Sequence, residues 1–195
     1  MWRLGLLTFI ALASAFLQPA RSVGQRGQTD QEHENDVPVL GSYFNAKYGY
    51  SVVVPDGFTA YRMKGPAPQH GIAIYGTPNS RDEIWINGEY DAAGEGSAEA
   101  VAKSTVDDFS RYQLKDISIS GRTLSGLDAA DVVLRSTMST PGRVSYIHMV
   151  VAYRPRRSGV PIVYTIGVRT AAIGSPLVGN FSKLVRSFRI EALAE

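Results

Sequence analysis

The sequence predicts a mixed α/β domain of the α+β type, with an antiparallel sheet of about six to seven strands sandwiched between helices. Aromatic and β-branched residues recur from position 39 to the end. Two segments space their apolar residues as helices do, and short links join the later strands. Strands joined by such short links must be antiparallel neighbours. A domain of about 155 residues is long enough to bury its own core.

The first half of the domain is predicted to contain short strands. They cover residues 43–48, 50–54, 59–63, 71–75 and 83–90. Pro55-Asp56-Gly57 ends the second strand as a turn, because these residue types favour turn conformations. Residues 64–69 contain Gly65, Pro66 and Pro68, and this composition indicates a loop.

Residues 97–113 are predicted to form a helix. Ser97 is a natural N-cap, and Glu99 lies in the first turn, where a negative charge is favourable. The apolar face repeats at steps of three and four residues and comprises Ala98, Val101, Ala102, Thr105, Phe109 and Tyr112. This spacing indicates a helix with one face on the core.

Four further strands are predicted at 116–123, 129–138, 143–154 and 160–170. The stretch from Val144 to Tyr153 is apolar on both faces, so it predicts a central strand covered from both sides. A last helix follows, because Ser175 can cap it and Pro176 suits the first helical position. Its apolar stripe is Leu177, Phe181, Leu184, Val185 and Phe188, and Arg189 onward is a tail or a final short strand.

The amino-terminal residues 1–20 have the pattern of a secretory signal peptide. A basic start is followed by a short apolar run and by small residues at Ala13, Ala15 and Ala20. Residues 21–38 are mostly polar and are interpreted as a flexible leader, and residues 39–195 form a single domain. We therefore expect a periplasmic or secreted protein without a membrane span.

Composition excludes several classes of protein. The sequence has no cysteine, which rules out a lipid-anchored lipoprotein and a disulfide scaffold. The formal net charge is +2, and removing residues 1–20 takes away only Arg3 and leaves +1. Nucleic-acid binders usually carry a strongly basic field, so a nucleic-acid partner is not expected.

Three short motifs stand out in this order of elements. An aromatic-Gly-aromatic strand runs into Pro-x-Gly between Tyr48 and Phe58, residues 126–130 are like a Gly-x-Pro-Ala turn with Asp128 in place of the proline, and the last helix ends in Ser187-Phe188-Arg189. Together these motifs resemble those of the PsbP-like and Mog-like domain family. The resemblance spans about residues 42–191. It implies an antiparallel sheet between helices and a common theme of binding other proteins.

No convincing catalytic or cofactor constellation is present. His148 lies in an apolar strand and is interpreted as a hydrogen-bonded core histidine. Glu89 and Asp91 are a weak candidate for a carboxylate pair at a strand end. No phosphate-binding loop, dinucleotide fingerprint or metal-ligand spacing occurs, so no cofactor and no metal are predicted.

The sequence predicts an exported, non-enzymatic protein that binds another envelope or extracellular protein as an accessory, assembly or chaperone-like factor. Arg154, Arg156 and Arg157 at a hairpin tip are the candidate charged contact, although such tips are more often merely solvated. Tyr48 and Tyr61, with Lys47, are a second candidate patch. The alternatives are a hydrolase with an unrecognised site, favoured by polar side chains in a deep pocket, and a carrier, favoured by a deep apolar pocket.

Overall fold

The computed structural model describes residues 38–63, 70–76, 82–109, 114–136 and 144–191. Within these ranges the chain forms β1 (Pro38–Val39), β2 (Ser42–Asn45), β3 (Tyr50–Val53), β4 (Ala60–Arg62), β5 (His70–Tyr75), β6 (Glu83–Tyr90), α1 (Ala98–Asp108), β7 (Asp116–Leu124), β8 (Leu127–Arg135), β9 (Tyr146–Arg154), β10 (Ile162–Thr170), α2 (Pro176–Ser187) and β11 (Arg189–Ile190). The signal peptide and nearly all of the leader lie outside the described residues, and β1 begins at Pro38, the last residue assigned to the leader.

The strands form two antiparallel sheets. The large sheet has eight strands in the order β1-β4-β5-β6-β10-β9-β8-β7, and the small sheet has three in the order β11-β3-β2. The prediction of six to seven strands in one sheet is therefore wrong, and the described part of the domain is richer in sheet than a helix-sandwiched fold. Two-residue strands such as β11, which pairs Arg189 with Ser51, are too short to show a periodic pattern.

Local sequence explains most of the large sheet. β9 lies between β8 and β10, and it is buried on both faces over most of its length, as its continuous apolar run predicts. A two-residue turn joins β7 to β8, with positive φ angles at both Ser125 and Gly126. Positive φ at both central residues is the geometry that tight hairpins require. The predicted Pro141-Gly142 turn lies outside the described residues.

One helix packs on each face of the large sheet. The Ser97 hydroxyl accepts a hydrogen bond from the Ala100 N–H at 3.1 Å, so α1 is capped as predicted. Helix α1 buries Ala98, Val101 and Ala102 against β8 and β9. In the described residues the helix ends at Asp108, before the predicted end at Gln113, which lies outside them.

The opposite face carries α2 and the small sheet together. Helix α2 buries Leu177, Phe181, Leu184 and Val185, as its apolar stripe predicts. At its carboxyl end, the Ser187 hydroxyl accepts a hydrogen bond from the Val53 N–H at 3.1 Å, which fixes the helix to β3. Neither described helix combines the length and apolar character that crossing a membrane requires.

Candidate functional site

Arg154 is tied into the fold rather than free at the hairpin tip. Its Nη1 donates to the Glu191 carbonyl oxygen at 3.1 Å and to the Tyr164 hydroxyl oxygen at 3.4 Å. The Tyr164 hydroxyl in turn donates to the Tyr48 carbonyl at 2.7 Å. Burial raises the pKa of Tyr164, and nearby Arg154 only partly opposes this rise. The structure thus brings Arg154 and Tyr48 together, as parts of one partly buried junction.

The other two arginines of the predicted cluster remain near the tip of the β9–β10 hairpin. Arg156 is half-buried, and its Nη1 lies 3.4 Å from the position that a Cβ on Gly159 would occupy. Arg157 is exposed. Neither side chain forms an ion pair with any described residue, so both remain available to an anionic partner.

Tyr48 is not a surface residue, which corrects its proposed role in a contact patch. Tyr48 is only 1% exposed, because it packs directly on Gly88. The contact is so close that a Cβ added to Gly88 would lie 2.8 Å from the Tyr48 Cβ. Its ring lies 5.3 Å from that of Tyr90, which is 37% exposed. The Lys47 Nζ lies 5.2 Å from the Tyr48 ring centroid and 5.9 Å from that of Tyr90. Tyr90 therefore supplies the accessible ring of this aromatic-basic group.

Tyr61 lies far from this group in the fold. Its neighbour Ala60 belongs to the core beneath α2, and successive side chains of a strand point to opposite faces. Tyr61 thus lies on the face of the large sheet opposite the small sheet. There its ring centroid is 6.1 Å from that of Tyr75. Tyr48 and Tyr61 do not form one patch.

The outer face of the small sheet carries an apolar surface that sequence reasoning missed. Phe44 and Val53 lie on the same face of this sheet and are exposed by 58% and 55%, and Leu40, in the link between β1 and β2, is exposed by 70%. Phe44 pairs across the sheet with Ser51, and Ser51 pairs with Arg189. Phe44 and Arg189 therefore lie on the same face of the small sheet, on either side of Ser51. The sequence offered no clear signal, because Tyr43 and Phe44 are adjacent aromatic residues and only the structure shows that Tyr43 is buried and Phe44 exposed. We call Leu40, Phe44, Val53 and Arg189 the outer patch.

A polar network lies on the inner face of the large sheet beside α2. The His148 Nε2 donates to Asp131 Oδ1 at 2.8 Å, and its Nδ1 lies 3.3 Å from the Tyr146 hydroxyl. The His148 and Phe181 ring centroids are 4.6 Å apart. Arg122 Nη1 also contacts Asp131, at 3.4 Å. This agrees with the interpretation of His148 as a hydrogen-bonded histidine.

The charged state of Asp131 is favoured by these partners. Burial acts to raise the pKa of the carboxyl group, but the hydrogen bond from His148 and the charge of Arg122 outweigh it, so the pKa is lowered. The side chains of His148 and Asp131 are only partly exposed. The network is chemically a carboxylate–imidazole–hydroxyl chain.

Glu89 and Asp91 do not act as a pair. The Asp91 carboxylate accepts hydrogen bonds from the N–H groups of Gly94, Glu95 and Gly96 at 2.9, 3.1 and 3.2 Å, and it holds the loop before α1. Burial opposes ionisation of Asp91, but these backbone donors lower its pKa overall. Burial and nearby acidic residues instead raise the pKa of Glu89.

A cavity of about 420 Å³ opens between the β7–β8 turn and the carboxyl end of α2. Its lining is Arg122, Thr123, Leu124, Ser125, Val185, Arg186, Phe188, Arg189 and Ile190. Three of these nine residues are arginines. Within the described ranges, no group of three or more histidine, aspartate or glutamate residues is placed to hold a metal ion.

Comparison with solved structures defines the fold class. The chain has a PsbP-like fold. The solution structure of cyanobacterial PsbP (CyanoP) from Synechocystis is similar to it at a TM-score of 0.51 and 17% identity, covering 76% of this chain and 91% of that one. LpqN, involved in cell envelope biogenesis of Mycobacterium tuberculosis, is less similar, with a TM-score of 0.38, 9% identity, and coverage of 81% and 86%. No protein-family model and no curated protein matches the sequence. The Mog-like part of the resemblance stays a prediction.

Proposed function

We propose that this chain is an exported, non-enzymatic domain that binds a partner protein in the cell envelope or outside the cell, as an accessory, assembly or chaperone-like factor. Export is supported by the signal-peptide pattern of residues 1–20. Binding is supported above all by the outer patch, where Phe44 and Val53 on one face of the small sheet and Leu40 in the link before β2 are each more than half exposed. Contiguous exposed apolar surface commonly marks an interaction site.

The charges near the outer patch indicate the chemistry of the partner. Arg189 borders the patch, and Arg186 lies on the last turn of α2 beside it. Arg156 and Arg157 lie on the β9–β10 hairpin. None of these four guanidinium groups forms an ion pair with another described residue. The partner that fits the outer patch is a protein with an apolar contact and carboxylates facing Arg186 and Arg189, and rim charges of this kind mainly guide the encounter.

Binding is tested by cross-linked co-purification from the native envelope, with mass spectrometry of the recovered proteins. The test variant is Phe44→Ser with Val53→Ser, and the matched control is Ile117→Ser, an exposed strand residue on β7. We expect one set of proteins to be recovered with wild type and control but lost with the double variant. Recovery of the same proteins with wild type, the control and the double variant would contradict the outer patch as the binding surface.

Export is tested separately by amino-terminal sequencing of protein from the exported fraction. The mature chain is expected to begin between about Phe16 and Val23, because small residues before these positions suit cleavage. A chain that keeps Met1 in a membrane pellet would overturn the signal-peptide interpretation. This outcome leaves the binding experiment unaffected.

A hydrolase is the second candidate, and one observation favours it. Tyr146, His148 and Asp131 are linked in the order hydroxyl, imidazole and carboxylate, as in nucleophilic enzymes. However, Tyr146 is buried, Phe181 packs against the imidazole, and the 420 Å³ cavity is lined by none of these residues. Ester hydrolysis by wild type that is lost in His148→Gln would favour the enzyme. An apolar carrier is less well supported, because three arginines line that cavity.

A further inference from the structure

Strand β7 forms a long edge of the large sheet. It is the last strand in the sheet order, it pairs with β8 one to one from Asp116 to Leu124, and no described strand pairs with its other side. Proteins commonly protect such an edge with charges, proline or a very short strand, because its unpaired N–H and C=O groups can pair with another chain. The opposite edge strand, β1, is protected in this way, since it has two residues and begins at Pro38. Residues 117–121 of β7 read Ile-Ser-Ile-Ser-Gly, with neither a charge nor a proline.

The β7–β8 hairpin determines which backbone groups of β7 point outward. Leu124 and Leu127 flank its two-residue turn and form the hydrogen-bonded pair that closes it. Hydrogen-bonded and non-hydrogen-bonded pairs then alternate along an antiparallel ladder. The odd-numbered residues of β7 therefore direct their N–H and C=O groups away from β8. Ile117, Ile119 and Gly121 are the central residues of this outward row.

The sequence of β7 is complementary to itself in one antiparallel register. When two copies of the strand are aligned about Ile119, Ile119 lies opposite Ile119 of the second copy. In the same register Ser118 lies opposite Ser120, and Asp116 lies opposite Arg122. A centre one residue earlier or later would place Asp116 opposite an uncharged residue instead. Opposite charges that face each other across a sheet stabilise the pairing, so the charges favour the Ile119 register.

The shape of the edge fits the same register. Ile117 is 51% exposed, and it would lie opposite Gly121 of the second copy. A Cβ on Gly121 would meet nothing within 4 Å, so the space beside this residue is open. The exposed isoleucine of each copy can therefore pack over the glycine of the other, which removes apolar surface from water.

The charged residues are available for this pairing. Asp116 is exposed and forms no ion pair with any described residue. Arg122 contacts Asp131 through Nη1 at 3.4 Å, and its side chain is 36% exposed. A guanidinium group has five N–H donors, so Arg122 can keep this contact and also bind a carboxylate on its other side.

We propose that two copies of this chain pair through β7 about a two-fold axis beside Ile119, joining their large sheets into one continuous antiparallel sheet. The outward row supplies about six backbone hydrogen bonds between the copies. One pair of strands buries much less than the roughly 1,200 Å² typical of stable interfaces, so the dimer is weak and dilute protein is monomeric. The outer patch contains no β7 residue, so a monomeric variant such as Ile117→Ser keeps it.

Sedimentation equilibrium of the exported chain over a range of concentrations tests self-association. We expect wild type to dimerise reversibly and Ile117→Lys to dimerise at least about tenfold more weakly, because a lysine protects an edge and cannot pack over Gly121. Ile173→Lys is the matched control, since it adds the same charge at an isoleucine that is 55% exposed and lies outside β7. Equal weakening by the two variants would overturn the proposal. A monomeric wild type at all concentrations would also overturn it and would leave the edge to an extended segment of another protein.

The register is tested by disulfide cross-linking, because the chain has no cysteine of its own. Ser118→Cys and Ser120→Cys are both substitutions of exposed side chains. In the Ile119 register, residue 118 of one copy lies directly opposite residue 120 of the other, within the Cα separation that a disulfide allows. Two copies of the same variant hold their cysteines on a diagonal, about 7–8 Å apart, which is too far. Mild oxidation should therefore link the mixture of the two variants, whereas each variant alone stays unlinked. Equal linking of the mixture and of either variant alone would reflect random collision and would overturn the register.

Discussion

Asp131 on β8 and His148 on β9 are joined by a hydrogen bond of 2.8 Å between Oδ1 and Nε2. The two side chains lie on the same face of the large sheet, beside α2. With Nε2 as donor, Nδ1 is left to accept from the Tyr146 hydroxyl at 3.3 Å, so one neutral imidazole satisfies both contacts. The pair therefore fixes a polar network next to the packing of Phe181.

Replacing Asp131 by Asn should destabilise the domain in a pH-dependent way. The folded-state pKa of Asp131 is lowered, so its ionised form stabilises the fold above the unfolded pKa of about 3.9. That contribution is lost as the pH falls through the folded pKa. Denaturant unfolding should show wild type more stable by about 1.5–3 kcal/mol at pH 7, with a difference that shrinks below about pH 4. A pH-independent difference would contradict this role of the charge.

Replacing Phe181 by Ala should cost about 3–5 kcal/mol of unfolding free energy, because a large cavity opens between α2 and the sheet. The side chain is almost fully buried and packs against the His148 ring. The control is Ser182→Ala, an exposed neighbour on the same helix, which should melt as wild type does. A melting curve of Phe181→Ala within error of wild type would show that α2 does not cover the core.

Replacing Gly88 by Ala should destabilise the domain where Tyr48 packs on the large sheet. The added Cβ would lie 2.9 Å from Cγ of Tyr48 and 2.8 Å from its Cβ, and no side-chain rotation can move that Cβ away. Overpacking of this kind costs about 1–3 kcal/mol. Gly121→Ala on β7 is the matched control, because its Cβ would meet nothing within 4 Å. Equal stability of the two variants in chemical denaturation would contradict the close packing of Tyr48 on Gly88.

The three arginines of the β9–β10 tip should respond differently to substitution. Arg154→Ser removes hydrogen bonds to Glu191 and Tyr164 and should lower stability by about 1–2 kcal/mol. Arg157→Ser should change stability by less than about 0.5 kcal/mol, because the side chain is exposed. Thermal melts of the two single variants measure this difference. If Arg157→Ser were the more damaging change, the assignment of Arg154 as the structural residue would be wrong.

Arg156 and Arg157 can be tested as binding residues without the structural effect of Arg154. Arg156→Ser with Arg157→Ser leaves Arg154 in place, so loss of a partner reports on surface charge alone. An exposed charge acts mainly on encounter, and its effect should fade as salt screens it. Partner recovery from the envelope at low and moderate salt tests this. If wild type and the double variant recover the same proteins at both salt concentrations, these two residues only keep the tip soluble.

The elements were predictable from the sequence because their signals are local. Ser97 and Ser175 cap the helices as predicted, since a cap depends on residues within one turn. The continuous apolar run of β9 predicted a central strand covered on both faces. Helix α2 buries the stripe that its three- and four-residue spacing indicated. Strand ends were less accurate, as β8 spans Leu127–Arg135 rather than 129–138.

Only the tertiary structure decided which residues meet. The small sheet depends on β11 pairing with β3, and the burial of Tyr48 depends on the missing side chain of Gly88. The cavity joins Arg122 of β7 to Arg186 and Arg189 near the carboxyl end of the chain. Periodicity reports which face of its own element a residue occupies, but not what lies opposite that face. Register and packing between distant segments set those contacts, and they determine both the outer patch and the charged cavity.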